Sequence, residues 1–171
     1  VLPYNELGAA AAAYNADEKE LCRIDEIYSA VKTPFEIRSG SEKVTRRFFK
    51  ICNNGQESFT GLYKSLTEQG ICKGHQCIAY GLYMRDNGIE LSEGLAVYGY
   101  SICSAIVTNC VKLVPLSQLA GQKILGESFE LISSASEKAL FTDINDIGIS
   151  GAGFDLRAMQ HERLYSRQYM S

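Results

Sequence analysis

Between Glu93 and Lys112 the chain carries no charged side chain, in the run SEGLAVYGYSICSAIVTNCVKL at 92–113. Leu95, Tyr98, Ile102, Ile106 and Leu113 recur at helical spacing as one apolar stripe, and Val97, Tyr100, Cys103, Val107 and Cys110 as a second. Gly94, Ser101, Ser104 and Thr108 form a narrow face of small residues that lets a neighbouring helix come close. Such a segment has two homes. A membrane span takes about 20 predominantly apolar residues. A helix apolar nearly all round is otherwise the buried centre of a helical domain. Two tyrosines, Asn109, several hydroxyls and the lack of flanking positive charge or aromatic belts argue against a bilayer. The expectation is a buried central helix over about 92–113.

The rest of the chain supplies helices to surround it. LGAAAAAY (7–14) is a run of the strongest helix former. In ADEKELCRIDEIYSAVK (16–32), Leu21, Ile24, Ile27, Tyr28 and Val31 keep helical spacing behind Asp17 as cap. TPFE (33–36) places Thr33, Pro34 and Glu36 as a capping box with proline at the first helical position, opening a helix that runs to about Cys52. NNG (53–55) breaks the chain, and a helix through Phe59, Leu62, Tyr63 and Leu66 stops near Gly70. HQCIAYGLYMRDNG (75–88) ends in Asn87-Gly88 as a C-cap. After Pro115 comes a further helix or a pair of them to about Leu140, then the loop FTDINDIGISGAGF (141–154). No segment alternates with period two over strand length. The class is all-α, a single-domain multi-helix bundle. Residues 1–147 read as the bundle, and 148–171 as a glycine hinge with a tail.

Length fits one domain, since 171 residues bury roughly 70% of the surface the unfolded chain exposes. Seventeen basic against 20 acidic residues leave a net charge of −3, so nothing draws the chain toward nucleic acid. VLPYNELG shows no basic region followed by an apolar one, so no signal peptide is expected. Six cysteines lie in apolar, helix-like stretches and read as reduced thiols of a cytoplasmic protein.

Catalytic groups are sparse. The two histidines, His75 and His161, stand far apart, and a Cys–His nucleophilic pair through Cys72 or Cys77 has weak support. CKGHQC (72–77) sets Cys72, His75 and Cys77 as three candidate donors for Ni, Cu or Zn, but no fourth ligand follows at structural-zinc spacing. GISGAGF lacks the Lys-Ser/Thr ending of a phosphate loop. NCVKLVPLSQLAGQKIL (109–125) sets Asn109, Gln118 and Gln122 among apolar residues around Pro115 and Gly121, as amides that fix a turn or a contact surface. The closing MQHERLYSRQYMS (159–171) interleaves arginine and tyrosine with Met159 and Leu164, the residue types enriched at protein–protein hot spots. It suits a docked last helix or a segment that orders on a partner.

NCVKLVPLSQLAGQKIL, followed about 30 residues later by MQHERLYSRQYMS, resembles the UreF family of urease accessory proteins. TPFEIRSGSEKVTRRFFK and GHQCIAYGLYMRDNGIELSEGLAVYGYS are similar to further family stretches in the same order. Together they cover most of 25–171. The family's N-terminal Phe-Pro-x-Gly segment and His-Ser…Gly-Leu-Glu motif have no counterpart, so the chain reads as starting inside the family's helical body. The resemblance implies an all-α protein that is not an enzyme and has no cofactor. It implies a cytoplasmic homodimer that joins the accessory protein UreD (UreH in some species) on apo-urease, recruits the GTPase UreG and promotes nickel insertion. It further implies partner contacts at Met159, His161, Glu162, Tyr165, Ser166 and Arg167. The turn at Pro115, Leu116, Gln118, Gly121 and Gln122 is similarly a family feature. Two other roles are carried beside it: an effector giving UreG an arginine such as Arg163 or Arg167 in trans, and a nickel carrier through Cys72, His75 and Cys77.

Overall fold

A computed structural model describes residues 1–52, 55, 57–149 and 151–165. Among them the helices are α1 (Glu6–Asn15), α2 (Glu18–Val31), α3 (Phe35–Ile51), α4 (Phe59–Glu68), α5 (Gln76–Asp86), α6 (Leu91–Leu113), α7 (Gln118–Glu127), α8 (Phe129–Ala139) and α9 (Ala152–His161), with no strand. The all-α multi-helix class is as expected. The segment after Pro115 is a pair of helices, α7 and α8.

The middle of the molecule is the alanine helix. Leu7, Ala9, Ala10 and Ala13 are fully buried, because α1 packs against α2, α5, α6 and α8 at once. Methyl side chains make that possible by letting four neighbours approach one short rod. α5 comes nearest. At Gly81 a β-carbon would collide with the carbonyl oxygen of Ala10, so the α1–α5 contact requires glycine there. From α5, Ile78, Ala79, Leu82 and Met84 complete this core.

α6 lies where the uncharged run places it, but it is not buried along its length. Its first stripe begins in the core at Leu95 and Tyr98, is partly covered at Ile102, and emerges at Ile106 (58% exposed) and Leu113 (49%). The cause is length. At about 1.5 Å per residue, the 23 residues of α6 outrun the 10 of α1 and the 11 of α5. The expected buried central helix is therefore buried only over its N-terminal part. α6 is also the one helix among the described residues long and apolar enough to cross a membrane by length and composition.

Local punctuation holds in most places. Asp17 and Glu20 form the capping box of α2, and Asn87-Gly88 closes α5 with Gly88 at φ 63°. The exception is α3. Thr33 does not cap it. Pro34 occupies the cap position without a side-chain hydrogen bond, and Phe35 is the first helical residue.

Candidate partner-docking site

What caps α3 comes from the other end of the chain. The Phe35 amide donates to Glu162 Oε1 at 2.7 Å, and His161 Nδ1 donates to Glu36 Oε2 at 2.8 Å. Glu36, expected to close a local capping box, thus faces the tail. A carboxylate over an unpaired amide at a helix N-terminus is favoured by hydrogen bonding and by the helix dipole. These contacts seat the end of α9 on α3.

α9 itself buries no residue. Phe154 (72% exposed), Leu156 (60%) and Leu164 are largely exposed, Met159 less so, and Tyr165 is fully exposed. The chain leading into α9 is tied down: Ile147 is buried, and the Gly148 amide donates to the Tyr4 carbonyl at 2.8 Å. Behind the start of α9, a cavity of about 460 Å³ is lined by Leu2, Val31, Ile37, Ile102, Ile106 and Phe154. The Glu6–Lys32 ion pair, 2.8 Å long, also borders it. Burial would raise the Glu6 carboxyl, but the adjoining Lys32 ammonium outweighs it and holds the carboxyl below its ordinary value.

Of the tail positions singled out from sequence, Met159 and Tyr165 are exposed, while His161 and Glu162 are engaged with α3. Ser166 and Arg167 lie outside the described residues. The turn positions fall at the far end of α6. Pro115, Gln118 and Gln122 are exposed and Leu116 is partly covered. Gly121 is buried, where a β-carbon would stand 2.7 Å from Val111 Cγ2 of α6. Asn109, Gln118 and Gln122 are not buried amides, because they sit on the overhang of α6 and on the open side of α7. The two sets are not gathered into one cluster. The tail positions His161 and Glu162 meet the start of α3, whereas the turn follows Leu113 and packs on α6 through Gly121.

The CKGHQC donors are likewise separated, and no group of three His, Cys, Asp or Glu among the described residues is placed to hold a metal ion. Each is committed to the interior. His75 Nε2 lies 2.7 Å from Ser29 Oγ, and its ring stands edge-on to Tyr28. Burial lowers the His75 pKa to about 4, so the ring is neutral. Burial pushes the Cys77 thiol up to about 12 and, with Asp25 and Cys22 nearby, raises that of Cys72 further. Asp25 organises this loop from α2, accepting from Tyr63 Oη (2.5 Å), Lys73 N (2.7 Å) and Gly74 N (3.1 Å). Tyr63 Oη in turn accepts from His75 N at 2.7 Å. The segment is a buried polar joint, and its donors serve the fold.

Sequence reading missed two contributors. Phe154 falls in the expected loop and Leu156 just after it, whereas both lie on α9, where the spacing Phe-x-Leu-x₂-Met signals a helix. The outer surface of α7 and α8 adds Leu119 (81% exposed), Ile124, Phe129 and Leu131 to the bare part of α6, with Phe129 against Tyr100 at 5.8 Å between ring centroids. Those residues were visible only as helix, without a face.

The comparisons agree on one family. The UreF profile matches residues 2–128. Urease accessory protein UreF of Actinobacillus pleuropneumoniae serotype 5b (strain L20) is 32% identical over 173 residues, covering 98% of this chain and 76% of its own. The Haemophilus influenzae (strain PittGG) protein of that name is 32% identical over 174 residues, covering 98% of this chain and 74% of its own. That of Paenarthrobacter aurescens (strain TC1) is 30% identical over 152 residues, 86% of this chain and 67% of its own.

Proposed function

The chain belongs to the UreF family of urease accessory proteins, and on that premise we propose that it is a urease-maturation adaptor built from docking surfaces. Its tail engages the accessory protein UreD/UreH on apo-urease, and the complex recruits the GTPase UreG and promotes nickel insertion. The observation that carries this reading is α9, a helix that buries nothing of its own and leaves Phe154, Leu156, Met159, Leu164 and Tyr165 outside. Exposed aromatic and long apolar side chains close together on a helix and the segment after it mark an interaction site. Ser166 and Arg167 are assigned to the same contact.

The bare part of α6, with α7 and α8, is a second surface. We assign it to a second copy of the chain in a cytoplasmic homodimer, and the turn at Pro115, Leu116, Gln118, Gly121 and Gln122 to its border. A bilayer is a poor home for α6, because its N-terminal part is packed inside the bundle and Ser101, Ser104, Thr108 and Asn109 interrupt the rest.

Deleting residues 159–171 tests the tail. The shortened chain is expected to stay folded and helical and to lose co-purification with UreD/UreH. Undiminished complex formation by the deletion contradicts the assignment.

A further inference from the structure

We propose that the contact between the start of α3 and the end of α9 is a clasp that presents the tail to its partner, with His161 and Glu162 positioning the tail instead of touching the partner. The inference rests on the tail-docking reading above and concerns how that site is held.

Three observations carry it. First, α3 lacks a cap of its own. Pro34 makes no side-chain hydrogen bond, and the Phe35 amide is satisfied by Glu162, 127 residues away. An N-cap carboxylate contributes about 1 kcal/mol in ordinary local caps, and here the same contact joins two helices. Second, neighbours on each side make the contact, Phe35 and Glu36 with Glu162 and His161. Two adjacent bonds fix rotation as well as position, which one bond would not. Third, α9 has no buried residue. A ten-residue helix is marginal alone, and most helices are held by burying an apolar face. With polar contacts seating its end, α9 keeps Leu156 and Met159 exposed. A tail anchored by its own apolar residues would have none left for a partner.

The effect is preorganisation. A free segment loses about 1–2 kcal/mol of backbone entropy per residue when it orders on a partner, and a segment already held in place loses less. His161 and Glu162 act through the placement of Met159, Leu164 and Tyr165.

Affinity for purified UreD/UreH, measured with the full chain, tests this. His161→Ala and Glu36→Ala are each expected to weaken binding by about 5-fold, the net contribution of about one hydrogen bond. The double variant should lose less than the two single losses combined, since both remove the same contact. Glu162→Ala should weaken binding and speed hydrogen exchange at the Phe35 amide of the unbound chain. Glu162→Gln should restore both, because its amide oxygen still accepts from Phe35. A loss of affinity with His161→Ala but none with Glu36→Ala would overturn the proposal, by making His161 a direct partner contact. Tighter binding after Glu36→Ala would also overturn it, because the clasp would then restrain the tail. So would a Phe35 amide that exchanges equally in Glu162→Ala and the unaltered chain. Deletion of 159–171 separates the two levels: if the deletion binds normally, the docking reading itself fails, whatever the Phe35 amide reports.

Discussion

α1 and α6 both run uncharged through their middles, yet one is enclosed on every side and the other is half bare. α1 has 10 residues and four neighbouring helices that are all longer, with side chains small enough for them to crowd it. α6 has 23, and past Ile102 there is nothing of matching length beside it. Apolar composition says that a helix must be covered. The lengths of its neighbours decide whether the cover comes from the chain itself or from another molecule.

Disturbing α1 should cost the most. Gly81→Leu drives a side chain into the Ala10 backbone, and it should lower stability by about 3 kcal/mol or more, or prevent folding. Urea unfolding measures it; a change below ~1 kcal/mol would mean that α1 and α5 can separate and that the enclosed helix is not rigid. Asp25→Ala, which orphans the Tyr63 hydroxyl and the Lys73 and Gly74 amides, should cost about 3 kcal/mol. Asp25→Asn should cost less.

Acid should reach the same core. Unfolded His75 takes a proton near its ordinary pKa of 6.5, while the folded ring resists protonation until about pH 4. The unfolded state therefore binds more protons between those values. Stability should be level above pH 6.5 and fall as pH drops from 6.5 toward 4. Thermal unfolding of the chain against a His75→Gln variant isolates this contribution, and identical pH profiles would refute it.

The smallest effect on folding belongs to the overhang. Ile106→Ser with Leu113→Ser should change monomer stability by no more than about 0.5 kcal/mol, and yet shift the molecular mass in light scattering from dimer toward monomer. A large loss of stability with no change in mass would invert the comparison and make the overhang part of the core.

Helix positions were legible in the sequence because their signals are local. Asp17 with Glu20, Asn87-Gly88 and Pro115 each act within a turn or so. Burial of α6 was not legible, since it depends on how far other helices extend. The α3 cap misled for a related reason: Thr33-Pro34-x-Glu36 has the right spacing, but a stronger acceptor arrives from 127 residues away. The CKGHQC donors sit close in sequence, but His75 is turned toward Ser29 of α2, 46 residues distant. The tail was legible as an unusual chain end. Its division into Met159 and Tyr165 facing outward and His161 and Glu162 facing inward was not, because alternating side chains do not say which ones meet the body.

Hydrogen exchange on the full chain, with and without UreD/UreH, tests the docking account most directly. The account predicts that partner binding slows exchange across α9 and the tail after it, and leaves α2 and α4 unchanged. Protection over α2 and α4, with the tail exchanging as fast as in the free chain, would contradict it.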